Sequence, residues 1–178
     1  RIVYTGRYSR EKSHKVLIEG VAKSVYKDKI KLILAGDGPL KENLAKQIEE
    51  TGINAEMNFF SRDAMVKILN QAYLYVHAAE IEAEGISCLE AIACGTVPII
   101  CNSDKCATKS YALCPESLFE KGNSEDLANK IDWWIDHPEK RAEYSKKYAD
   151  FAGEDLCQEK CMRKMEKMLI ETAEKFKK

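Results

Sequence analysis

Six short strand-like runs, each followed by a longer amphipathic or polar stretch, constrain this chain more than any other feature. They are IVYT at 2–5, IKLILA at 30–35, EMNFF at 56–60, LYVHA at 74–78, VPII at 97–100 and LF at 118–119. Between the first two, Val16, Leu17, Val21 and Val25 recur at helical spacing. Pro39 is placed to open a second helix, residues 64–71 read as a third, and a short buried helix precedes VPII. Strands that alternate with helices across connections of a few residues predict an α/β fold, a parallel sheet with helices on both faces wound right-handedly. Near-continuous apolar strands such as IKLILA fit a sheet covered on both sides.

Beyond Cys101 the pattern loosens. Ser124 reads as an N-cap for a helix with Leu127, Ile131, Trp134 and Ile135 on one face, and Pro138 starts another. The last segment, about 156–178, reads as one long helix. Cys157, Cys161, Met165, Met168, Leu169, Thr172 and Phe176 form a stripe on it, which reads as core packing. Lys160, Arg163, Lys164 and Lys167 lie on its other face and would suit an anionic membrane surface.

Ligands of such sheets bind beyond the carboxyl ends of the strands. The loops there are residues 6–13, 36–38, 60–62 and 79–87, so any site should draw on them. The last of these leads into EAEGISCLEAIACGTVPII, which gathers Glu82, Glu84 and Glu90 around Gly85 before turning almost wholly apolar. Ser87-x-x-Glu90 has the form of a capping box, which accounts for Glu90 without chemistry. It leaves Glu82 and Glu84 unexplained. A helix opening at Gly85, Ile86 and Ser87 offers free amides and a positive dipole end to a phosphate. Carboxylates beside a phosphate make sense when their partners are hydroxyls, as in a nucleotide sugar. The loop GRYSREKS supplies the opposing charge through Arg7, Arg10 and Lys12.

Charge excludes some alternatives. Lys plus Arg is 28 and Asp plus Glu is 29, so no general nucleic-acid surface is expected. No apolar run approaches the ~20 residues of a membrane span, and no signal peptide opens the chain. Seven cysteines at irregular spacing contain no C-x-x-C pair and read as reduced, mostly buried thiols of a cytoplasmic protein. The start at Arg1, without Met, reads as a piece of a longer protein.

Four of these runs together resemble one family. Glu82-x7-Glu90 within EAEGISCLEAIACGTVPII resembles the E-x7-E motif of the retaining glycosyltransferases of family 4, usually written E-G-F-G-x-P-x-L-E-A-M-A-x-G-x-P-V. YTGRYSREK resembles their G-R-x-x-x-E-K loop, LILAGDGP their G-x-G-P turn, and YLYVHAA the strand that enters the donor loop. Ala83, Glu84 and Ser87 depart from the usual glycine, aromatic and proline, which bears on the sugar held. VHAAEIEAEGISCLEAIACG and KIDWWI look closest to bacterial lipid α-glucosyltransferases acting on sterols or diacylglycerol.

The resemblance implies one half of a GT-B enzyme, a Rossmann-like donor-binding domain spanning 1–178 whose last helix returns toward an N-terminal domain outside this chain. It implies that Arg7 and Lys12 bind the donor diphosphate, that Glu90 holds the ribose and Glu82 the transferred sugar, and that Gly85, Ile86 and Ser87 support phosphate and sugar. The base would lie near Phe60 and Ser61. The implied reaction moves a hexose, glucose from UDP-glucose, with retention to an acceptor hydroxyl on a lipid or glycan. Arg7, Lys12 and Glu82 are its catalytic candidates, with no metal and no permanently bound cofactor. Peripheral contact with the inner face of the cell membrane would follow from a lipid acceptor. A sugar-nucleotide epimerase, a non-catalytic nucleotide-binding module and a two-carboxylate glycosidase using Glu82 and Glu90 are the competing functions.

Overall fold

The computed structural model describes residues 1–176. Among them, six strands form one sheet, parallel throughout: β1 (Ile2–Thr5), β2 (Leu32–Ala35), β3 (Ala55–Asn58), β4 (Leu74–His77), β5 (Val97–Asn102) and β6 (Leu118–Glu120). Their order is β3-β2-β1-β4-β5-β6. Seven α-helices accompany them: α1 (His14–Lys23), α2 (Lys41–Thr51), α3 (Arg62–Asn70), α4 (Ile86–Ala93), α5 (Ser124–Asp136), α6 (Pro138–Glu154) and α7 (Gln158–Lys175).

The chain builds outward from β1 to β3, then returns to the other side of β1. Right-handed crossovers therefore put α1 and α2 on one face of the sheet and α3 and α4 on the other. The packing agrees: α1 lies against α2 and α5, and α4 against α3 and α6. Val3, Leu32, Leu34, Leu74, Val76, Ile99 and Ile100 are buried along the sheet, with Leu17, Ile92, Leu127, Ile131 and Trp134 packing onto it from the helices.

The expected strands are all present, with ends shifted by one or two residues. Residues 30 and 31 precede β2, and residues 59 and 60 follow β3 as loop. Asn123, not Ser124, caps α5: its side chain accepts from the amides of Glu125 and Asp126 at 3.1 and 2.9 Å. Pro39 stands in the turn before α2 rather than inside it. The seven cysteines are free; Cys88, Cys101 and Cys106 are buried, and Cys161 is exposed.

The larger correction concerns α7. The stripe expected to be core contains no buried residue. Met165, Met168, Leu169 and Phe176 stand exposed, as do Met162 and Ile170, because no other element of the described chain covers them. α7 ends at Lys175, and the last two residues of the helix expected over 156–178 lie outside the described residues. No helix among those described is long and apolar enough to cross a membrane.

Candidate functional site

The strand order reverses between β1 and β4, which makes the crevice above these two strands the expected binding place. The register opens it further. β1 pairs with β2 along its whole length, to Thr5↔Ala35, but with β4 only at Ile2↔Leu74 and Val3↔Tyr75. The two strands therefore part before β1 ends. Ser87, in the first turn of α4, fills the gap: its hydroxyl donates to the Thr5 carbonyl at 3.2 Å and accepts from the Tyr75 hydroxyl at 3.0 Å.

The loop after β1 is held from below and from the side. The Tyr8 ring is buried and its hydroxyl donates to the Leu34 carbonyl at 2.7 Å. The Gly6 amide donates to Ala35 at 3.0 Å and the Tyr8 amide to Asp37 at 2.9 Å, stitching this loop to the one after β2. The two backbones come so close that a β-carbon on Gly36 would stand 2.0 Å from the Gly6 carbonyl oxygen. Nothing larger than glycine fits there. A short 3-10 turn, Arg10–Lys12, follows, and the Tyr4 hydroxyl donates to the Lys12 carbonyl at 2.9 Å. Lys12 is thereby aimed across the crevice.

The loop after β4 is braced by a segment the sequence did not single out. The Glu82 amide donates to Lys105 at 3.1 Å and the Ala107 amide to Glu82 at 2.9 Å, an isolated parallel bridge. The Ser103 hydroxyl donates to the Glu80 carbonyl at 2.7 Å. Glu80 adds a side-chain contact to Ser13 at 3.0 Å and an ion pair with Lys121 at 3.2 Å. These partners lie more than 20 residues apart in the sequence and carry no motif, so no local signal marks them.

Within this frame Lys12 and Glu82 form a hydrogen-bonded ion pair, both largely shielded from solvent. Burial alone would raise the Glu82 carboxyl. The hydrogen bond and charge of Lys12 outweigh it, helped by His77 and the Ala83 amide, and leave the group below the usual carboxylate range. His77 lies beneath, its Nε2 3.6 Å from Glu82 Oε2. Burial, the largest influence, lowers its imidazole to about 4, with Glu82 opposing and Lys12 assisting.

Gly85 caps α4 at φ 72°, so the expected capping box does not form. Ser87 lies one residue inside the helix and spends its hydroxyl on Thr5 and Tyr75 instead of on the helix backbone. The turn itself requires glycine, because its backbone is left-handed and a β-carbon on Gly85 would stand 2.1 Å from Thr108 Cγ2. The Ile86 and Ser87 amides open the helix free of its internal ladder, which leaves them able to donate to an anion.

The remaining expected residues take separate places. Arg7 is exposed on the β1 loop. Glu90 is exposed on α4 and shares a cleft with Arg62 and Met65 of α3. Ser61 caps α3, accepting from the Ala64 amide at 3.4 Å, with Phe60 half-buried beside it. Glu90 thus faces the helix that begins at the Phe60–Ser61 loop. Tyr4, His14, Tyr75 and Thr108 form the buried floor and wall, and the sequence reading assigned none of them a role.

Fold and site together define a Rossmann-like half of a GT-B glycosyltransferase. The chain belongs to the glycosyl transferases group 1 family, whose model matches residues 1–150. It is 44% identical to the catalytic domain of a cholesterol-α-glucosyltransferase from Helicobacter pylori, with a TM-score of 0.83, covering 85% of this chain and 95% of that one. An Anabaena protein, HepE, solved in complex with UDP, matches the fold with a TM-score of 0.83 at 20% identity, over 96% of this chain and 48% of that one. An uncharacterised glycosyltransferase from Methanocaldococcus jannaschii is 29% identical over 105 residues, 57% of this chain. The match spans 27% of that protein.

Proposed function

We propose that this chain is the nucleotide-sugar-binding half of a retaining hexosyltransferase, one that takes glucose from UDP-glucose to a hydroxyl of a lipid or glycan. The observation that carries the reading is the Lys12–Glu82 pair, set at the β1/β4 switch point beside the free first turn of α4. A cation, helix amides and a carboxylate converge where a diphosphate and the hydroxyls of its sugar would lie. The likeness at 44% identity to a domain described as a cholesterol-α-glucosyltransferase supports glucose and a lipid acceptor.

In this reading Arg7, Lys12 and the Ile86 and Ser87 amides meet the negative charge that grows on the departing diphosphate. Preorganised donors of this kind are worth about 3–4 kcal/mol each when removed. Glu82 accepts hydrogen bonds from the hexose and Glu90 from the ribose, with the base beside Phe60 and Ser61. The exposed apolar side of α7 is covered by the acceptor-binding domain, outside this chain.

Calorimetry of the chain against UDP, GDP, ADP and their glucose conjugates tests the reading. Micromolar-range binding of UDP, tightened by the attached glucose, is expected. No heat with any of the six would sink it. Product analysis of the longer enzyme separates transfer from epimerisation.

A further inference from the structure

We infer that His77 is a positioning residue for Glu82: its Nε2–H takes over the carboxylate when Lys12 turns to the diphosphate. The inference rests on the donor-site reading above and assigns a role to a side chain that reading leaves idle.

His77 ends β4, in the middle of a parallel sheet, at a place where Val76, Ile99 and Ile100 are apolar neighbours. It is 1% exposed, and neither ring nitrogen has a hydrogen-bond partner among the described residues. Leaving such polar atoms unmet in a core is unfavourable. An aliphatic side chain would avoid the cost, so the ring calls for a compensating role. Glu82 Oε2 lies 3.6 Å from Nε2, just beyond hydrogen-bonding distance. That oxygen is the one Lys12 now holds.

A diphosphate and Glu82 compete for the same ammonium. Once the diphosphate takes it, Glu82 is a shielded carboxylate without its cation, free to swing. A closing movement of about half an ångström brings the His77 Nε2–H into range. It then fixes Oε2 and leaves Oε1 for a sugar hydroxyl. The ring has little freedom to choose otherwise. It stacks on Tyr75 at 6.3 Å and meets Tyr4 edge-on at 5.8 Å. The Gly85 turn lies over Cε1, where a β-carbon would come within 3.6 Å. Burial keeps the imidazole neutral, so it donates one hydrogen bond without cancelling the carboxylate charge that the sugar hydroxyl needs.

The test compares UDP and UDP-glucose binding to the wild-type chain and to His77→Gln, His77→Asn and His77→Leu. Glutamine places an amide N–H near the Nε2 position; asparagine places it near Nδ1. The wild type should bind UDP-glucose more tightly than UDP. His77→Asn and His77→Leu should lose about tenfold in UDP-glucose affinity, with UDP within twofold of wild type, and His77→Gln should keep the sugar preference. The Asn and Gln pair decides the matter even if His77→Leu does not fold. Equal sugar preference in the Asn and Gln variants would overturn the role of His77 while leaving the donor site intact. A wild type that binds neither compound would overturn both.

Discussion

Lys12 and Glu82, 70 residues apart in the chain, meet as one ion pair whose side chains are 21% and 17% exposed. It joins the loops on either side of the topological switch, and it holds the cation that a diphosphate would claim. Removing Lys12 therefore has two consequences. Lys12→Ala should lower unfolding free energy by about 1–2 kcal/mol, since it strands a shielded carboxylate. It should also weaken UDP binding. Arg7, exposed on the same loop, should behave differently. Arg7→Ala should change stability by less than about 0.5 kcal/mol and still weaken UDP binding. Urea melts and titrations of both variants check this; equal UDP affinity in wild type and both variants would contradict the phosphate assignment.

Ser87 and Glu90 are separated by the loss of the capping box. Ser87→Ala takes partners from both the Thr5 carbonyl and the Tyr75 hydroxyl and should cost about 1–2 kcal/mol. Glu90 is exposed and plays no part in the cap, so Glu90→Gln should leave stability unchanged and act on nucleotide affinity alone. A Glu90→Gln chain that melts earlier but binds UDP normally would reverse the assignment.

Gly85 combines a left-handed backbone with a wall at Thr108. Gly85→Ala should cost about 2–4 kcal/mol, the strain and the overlap acting together. Gly85→Ala with Thr108→Ser removes the methyl group in the way and should recover part of that loss. If the double variant is no more stable than Gly85→Ala, the crowding explanation fails.

Acid should act through two buried imidazoles. His14 and His77 are each lowered from 6.5 to about 4, mainly by burial. Their folded values lie below the unfolded ones, so their contribution is fully present above pH 6.5 and is lost as pH falls toward 4. The loss is on the order of 3 kcal/mol per ring, with Glu82 adding to it at still lower pH. Imidazole titration by NMR checks the premise; a ring that titrates near 6.5 would remove it.

The terminal helix should be dispensable for the stability of this fold. α7 buries nothing among the described residues, so a chain ending before Gln158 should unfold within about 1 kcal/mol of the full one. A larger drop would show that α7 packs on the body after all.

Much was legible in the residues themselves. Period and composition marked all six strands; β1, β2 and β4 stand out because strands covered on both faces are apolar along their length. The basic loop at 6–13 and the carboxylates at 82–90 were legible too, because their types and spacing already state a chemistry. Other features were not. Ser87 looked like a cap by spacing, but its hydroxyl is spent on Thr5 and Tyr75 and the helix opens at Gly85 instead. The stripe on α7 looked like core, since periodicity reports an apolar face but not whether anything covers it. The strand order that sets β1 beside β4, the joining of Lys12 to Glu82, and the placing of His77 beneath them with both nitrogens unmet were decided by tertiary structure. Each depends on contacts between residues far apart in the chain, and local propensity and spacing do not encode those distances.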